Sequence, residues 1–351
     1  VIKSIILAVI FFFYIPQVIV FAAGKPSAKI IADNSQSFSD WLIDLEKEAR
    51  AAGVSDQTFA QAFAGVTPNP KVIDFDRHQP EFTQTYDQYI TRRISPARVK
   101  RGREKIAENS GILRDVSTKI GVQPRFIAGI WGMETNFGSF SGGYNVIRSL
   151  ATLAYDTRRP RYFRSELIKA LTILEQGHVG VKDFKGSWAG AMGQGQFMPS
   201  SFFAYAYDFD GDGRKDIWND TGDVFASIAN YLKKHGWQQN RTWGREVTLP
   251  EDIDALWDKV KQTGKVKTCR RALKDHSRRL TLAEWQKLGV RTIYGQDLPK
   301  VTDPDFVASL VMPAGKGGPA YLTYPNFRAI LSYNCSNFYA LGVSLLAEKL
   351  K

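Results

Sequence analysis

Histidine and cysteine are both scarce in this chain of 351 residues, and the scarcity removes whole classes of chemistry. The four histidines, His78, His178, His235 and His276, are scattered with no pair at metal-ligand spacing. A zinc site, or a histidine-activated serine or cysteine nucleophile, therefore has little support. Only Cys269 and Cys335 could form a disulfide; an even pair in an exported chain points to a bridge, although spacing alone cannot show that they meet. After residue 23 no stretch is long and apolar enough to span a membrane. Internal repeats, a phosphate-cradling loop and a dinucleotide fingerprint are all missing.

What is present is material for a large core: 44% of residues are hydrophobic and 13% aromatic, enough for more than one domain. Residues 1–23 hold a near-continuous apolar run after Lys3, with Val20 and Ala22 placed as the small residues of a cleavage site. This reads as a cleaved signal peptide for export to the periplasm; an uncleaved inner-membrane anchor is the alternative. No cysteine follows the run to accept a lipid. The net charge of +12 calls for an acidic partner, and export argues against nucleic acid, leaving anionic lipid or an anionic cell-wall polymer.

Helical spacing and breakers divide the rest. Residues 24–37 read as a linker, 38–110 as an N-terminal helical domain, and 111–240 as a helical core. Residues 241–325 read as a small β domain, with strands expected at 246–250, 291–294, 306–312 and 321–324 and a hairpin loop at Gly315–Pro319. Residues 326–351 return to helix. The expected class is α+β, mainly helical, with a small inserted antiparallel domain.

Two segments carry chemistry. In Phe126–Glu134, the residues Ile127, Ile130 and Trp131 share a helical face with Glu134, so the acid points into apolar surroundings near the negative end of the helix dipole. Both features disfavour the anion, as a general acid requires. The second segment, residues 185–201, is rich in glycine, which allows tight turns and close approach of a polymer to the backbone. Its Ser187 and Gln196 are neutral groups suited to hydroxyl and acetamido partners. No second acid stands out there; Asp183 is the nearest alternative.

Glu-Thr-Asn-Phe-Gly at 134–138, followed by Gly-Ala-Met-Gly-Gln-Gly-Gln-Phe-Met-Pro-Ser at 190–200, resembles the core of lysozyme-like lytic transglycosylases, and more narrowly the membrane-bound lytic murein transglycosylase B family. Asp74–Phe82 and Tyr333–Tyr339 also resemble that family's pattern, so the resemblance runs from about Phe38 to Leu350. It implies a lysozyme-like fold and cleavage of the β-1,4 bond between N-acetylmuramic acid and N-acetylglucosamine without water, leaving a 1,6-anhydromuramyl end. Glu134 would act as acid and then base, Ser187 would orient the acetamido group, and Gln196 would bind sugar. Tyr89, Tyr231, Tyr333, Asn334 and Tyr339 match groove-lining positions. A hydrolytic muramidase and an idle wall-binding protein are the rival readings. The expected partners are peptidoglycan strands, with cell-wall synthesis or secretion machinery as further candidates, and the chain is expected to be a monomer.

Asp208-Phe-Asp210-Gly-Asp212-Gly-Arg214 fits the first half of an EF-hand loop, with carboxylates at positions one, three and five and the Arg214 carbonyl at seven. Position twelve is Asn219 rather than the usual bidentate Glu. By resemblance the last carboxylate comes later, at Asp223, with Asp220 a rival. The expected role is a structural calcium ion, with no cofactor for the chemistry.

Overall fold

The computed structural model describes residues 36–78 and 84–351. The signal-peptide reading, nearly all of the 24–37 linker and residues 79–82 of the Asp74–Phe82 motif lie outside the described residues. Among the described residues there are sixteen helices and seven short strands, which is the mainly helical α+β class that the sequence implies. They group into two compact units that interleave along the chain. One holds 36–78 and Glu134–Ser227; the other holds 84–133 and Ile228–Lys351. Two helices, Pro124–Thr135 and Thr221–Lys234, belong in part to each. The compact units thus run across the sequence-derived boundaries at 110/111 and 240/241, because packing partners are distant in the chain.

In the first unit, the helices Val146–Tyr155 and Pro160–Glu175 pack along one another. Their apolar faces supply Leu150, Leu153, Leu167 and Leu171, all buried. The helices Phe38–Ala51 and Asp56–Phe63 begin at Ser37 and Ser55, whose hydroxyls accept the backbone N–H groups of Asp40 and Thr58. Ser55 is also tied to the Glu175 carboxylate, through its N–H at 3.0 Å and its hydroxyl at 2.8 Å. A two-stranded ribbon, Tyr144–Asn145 with Lys185–Gly186, opens the glycine-rich segment.

In the second unit, five strands form one antiparallel sheet in the order Leu280–Thr281, Val307–Val311, Ala320–Thr323, Gly244–Thr248, Arg291–Thr292. Four of these lie where the sequence places strands, shifted or shortened by a residue or two; Leu280–Thr281 is additional. The sheet shares a core with Leu256, Val260 and the fully buried Trp285, whose indole N–H donates to the Ala308 carbonyl at 3.1 Å. The C-terminal helix Asn337–Lys349 packs against Tyr86–Arg93. Cys269 and Cys335 are bridged.

Candidate functional site

Glu134 sits in the last turn of Pro124–Thr135 and is 4% exposed. The sequence reading gave this helix one apolar face. That face is buried, and so is every other residue from Phe126 to Thr135, so the acid is enclosed from all sides of the helix. The helix is stopped by three successive left-handed residues, Asn136, Phe137 and Gly138, of which only glycine adopts that backbone without strain. Thr135 holds the turn: its hydroxyl accepts the Gly138 N–H at 3.1 Å and donates to the Gln194 carbonyl at 2.9 Å.

That second bond joins Glu134's helix to the glycine-rich loop. The loop folds back on itself, with Met192 and Phe197 exchanging two backbone hydrogen bonds of 2.9 Å. Its glycines are demanded by contact. A Cβ on Gly186 would lie 2.1 Å from the Ala191 carbonyl oxygen, and one on Gly190 (φ +85°) 2.3 Å from Leu150 Cδ2. The Ser187 hydroxyl accepts the N–H groups of Ala191 at 3.0 Å and Ala189 at 3.3 Å, which leaves its own proton for a ligand. Gln196, 2% exposed and left-handed at φ +52°, donates its amide to the carbonyls of Ser141 at 2.8 Å and Gly193 at 2.9 Å. Its Oε1 is buried and accepts no hydrogen bond among the described residues. A buried acceptor held in a strained backbone is a natural receiver for a ligand N–H.

Gln194, which the sequence reading passed over, is the hub. Besides receiving Thr135, its backbone N–H donates to the Ile217 carbonyl at 2.8 Å and its side-chain amide to the Trp218 carbonyl at 2.8 Å. Ile217 and Trp218 directly follow the acidic loop. In that loop Asp208, Asp210 and Asp212 each place an oxygen within 4.8 Å of the others. The Asp208 carboxylate accepts the N–H groups of Gly211 and Gly213, which hold it below its usual range although partial burial opposes them. Three hard oxygen donors so close together suit a calcium-like cation. Arg214 directs its side chain to the His178 carbonyl at 3.2 Å. Asp223 is not grouped with these three. It is buried, and its two oxygens accept the N–H groups of Phe209 and Asp216, each at 2.7 Å. Burial pushes its carboxyl up to about 6 despite those donors.

The other buried carboxylates among the described residues carry structural tasks, as Asp223 does. Asp76 pairs with Arg158 and Arg159, and Glu166 accepts the Ser200 N–H at 2.8 Å at the start of the helix Pro199–Tyr205. Asp183 is exposed. Phe75, from the upstream motif, packs its ring 6.2 Å from that of Trp188, next to Ser187.

The second unit gathers the aromatic positions. The Tyr231 and Tyr333 rings lie 4.6 Å apart, and Tyr333 stacks toward Tyr339 at 6.5 Å. The Tyr231 hydroxyl donates to the Ser332 carbonyl at 2.7 Å. Asn334 ends the helix Pro325–Tyr333, one residue before the disulfide. Tyr89 stands a little apart, buried against Phe338 at 5.7 Å and beneath the Arg93 guanidinium.

Residues 37–348 match the model of the transglycosylase SLT domain. Over 268 residues the chain is 31% identical to membrane-bound lytic murein transglycosylase B of Escherichia coli (strain K12), covering 74% of this chain and 66% of that protein, just under two thirds. Among solved structures, SltB3 from Pseudomonas aeruginosa in complex with NAG-anhNAM-pentapeptide is 45% identical, with a TM-score of 0.82 over 90% of this chain and 80% of that one. The Escherichia coli lytic transglycosylase Slt35 in complex with calcium is 27% identical, with a TM-score of 0.71 over 89% of this chain and 92% of that one. With a family model spanning 37–348, the chain belongs to the transglycosylase SLT domain family.

Proposed function

We propose that this protein is a lytic transglycosylase that cleaves the N-acetylmuramyl-β-1,4-N-acetylglucosamine bond of peptidoglycan without adding water. The observation that carries the reading is Glu134, buried at a helix end and hydrogen-bonded through the neighbouring Thr135 to the loop that presents Ser187 and Gln196. The relatives it resembles are lytic murein transglycosylases, and SltB3 is solved with NAG-NAM-pentapeptide.

In the proposed reaction the Glu134 carboxyl gives its proton to the glycosidic oxygen as the bond from muramyl C1 to that oxygen breaks. The substrate's acetamido oxygen supports the positive charge at C1, and the Ser187 hydroxyl donates to hold that group in place. Glu134, now a carboxylate, takes the proton from the muramyl 6-hydroxyl as O6 bonds to C1. Proton and electron pair balance, and the enzyme returns to its starting state. One carboxyl is enough because the attacking hydroxyl is intramolecular and outcompetes water by proximity. Gln196 Oε1 receives a sugar N–H or O–H; the family resemblance alone assigns Tyr89, Tyr231, Tyr333, Asn334 and Tyr339 to sugar binding.

Asp208, Asp210, Asp212 and the Arg214 carbonyl would hold a calcium ion, with Asp223 fixing the loop from beneath. The ion would supply charge balance and rigidity, not chemistry. The Cys269–Cys335 bridge suits an oxidising compartment, so residues 1–23 are read as the export signal of a periplasmic protein. Mass spectrometry of digested peptidoglycan tests the reaction: anhydromuropeptides are expected from the wild type and none from Glu134→Gln. Reducing-end products would establish a hydrolase instead.

A further inference from the structure

Two arginines of the second unit lack a counter-charge. Arg328, on the helix Pro325–Tyr333, is partly buried and donates to the Ser309 hydroxyl at 3.1 Å. Burial, with the like charge of Arg279 adding to it, pushes its guanidinium down to about 10. Among the described residues neither arginine forms an ion pair with a carboxylate. Withdrawing one cation from water beside another is costly unless an anion compensates.

The space for that anion is present. Arg279 and Arg328 together line three cavities, of about 180, 300 and 330 Å³, the last two of which also share Gln262. Besides the two arginines, the cavity of about 300 Å³ is walled by a third cation, Lys267, by the neutral polar groups Gln262, Thr268 and Ser332, and by the aliphatic ones Val266, Leu273 and Leu331. Lys265, Lys267, Arg270, Arg271, Lys274 and Arg278 lie in the same stretch of chain, with Asp275 the sole acid between 265 and 279. Leu331 and Ser332 precede Tyr333 and Asn334 directly, and Cys269, whose bridge to Cys335 anchors this corner, is also in the wall.

We propose that Arg279 and Arg328 bind a carboxylate of the peptidoglycan stem peptide. This rests on the transglycosylase reading. Guanidinium forks match a carboxylate in two parallel hydrogen bonds. The cations call for an anion, and the aliphatic patch of Val266, Leu273 and Leu331 beside them suits a peptide carboxylate with a small side chain better than an uncharged sugar. The site would favour peptide-bearing strands over stripped ones and leave the glycosidic chemistry untouched.

The test has two arms. Titration calorimetry with free stem pentapeptide at low salt should show saturable binding to the wild type. Binding should weaken about tenfold or more with Arg279→Met, with Arg328→Met, or when the peptide carboxylates are amidated, the order expected for losing a charge-assisted hydrogen bond. Arg279 is exposed, so its variant tests the site without disturbing the core; Arg328→Lys should recover part of the affinity. In the second arm, release of anhydro products from peptide-bearing strands should fall about tenfold in Arg279→Met, with release from amidase-stripped strands unchanged. Equal peptide binding by wild type and Arg279→Met, no binding by the wild type, or no effect of amidation would overturn the proposal. Wild type that releases no anhydro product from either strand would instead defeat the transglycosylase reading, while the titration would still decide the site.

Discussion

Replacing Thr135 with valine keeps the shape of the side chain and removes one hydroxyl. That hydroxyl makes two hydrogen bonds, to the Gly138 N–H at 3.1 Å and the Gln194 carbonyl at 2.9 Å. Each is worth about 1 kcal/mol net, so the variant should lose about 2 kcal/mol, rising toward about 4 where the orphaned groups stay dry. The larger effect should fall on turnover. Thr135 adjoins Glu134 and is its helix's link to the loop bearing Ser187 and Gln196, and a shift of about 1 Å at a catalytic group costs on the order of a hundredfold. With soluble glycan strands, kcat should drop at least tenfold in Thr135→Val with KM little changed, and Thr135→Ser should recover most of it. A variant that melts earlier but keeps kcat within about twofold would refute the coupling and leave Thr135 a purely structural cap.

Three further outcomes are expected. His276 is fully buried between Asn337, whose carbonyl oxygen lies 2.9 Å from its Nε2, and the Thr323 hydroxyl, with Arg328 nearby; burial first, then that arginine, pushes it down to about 4 from its ordinary 6.5. Between those values the unfolded chain binds the proton and the folded one does not, so stability should fall from pH 6.5 to 4, by at most about 3 kcal/mol, and level off below. Urea midpoints against pH should show that slope, and His276→Gln should flatten it. Calcium should raise the melting temperature of the wild type but not of Asp208→Asn/Asp212→Asn; a melting rise of equal size in the double variant would remove the metal assignment. The Cys269–Cys335 bridge spans 66 residues, a loop whose closure stabilises by roughly 4 kcal/mol in the chain-entropy model, so reduction should lower the denaturant midpoint of the second unit.

The parts of the site that the sequence made legible are those where side-chain identity is the signal. Glu134, Ser187 and Gln196 stand in a segment pair specific enough to name a family, and three alternating aspartates followed by glycine mark the acidic loop. Thr135 and Gln194 were missed because the Thr135 hydroxyl bonds the Gln194 carbonyl, an atom every residue possesses. The apolar face that Ile127, Ile130 and Trp131 share with Glu134 is buried as the spacing implies; that the remaining faces are covered too is not visible in a period of apolar residues. Strand positions were visible from alternation, but Leu280–Thr281 is two residues long, too short to show a period. The interleaving of the two units depends on contacts between distant segments, such as Ser55 with Glu175, that no local pattern announces.

The central claim is that one buried carboxyl cleaves the glycan without water. Digestion of peptidoglycan in 18O-labelled water, followed by mass spectrometry of the muramyl ends, tests it most directly. The account predicts 1,6-anhydro ends that carry no label, and no cleavage by Glu134→Gln; reducing ends that carry 18O would contradict it.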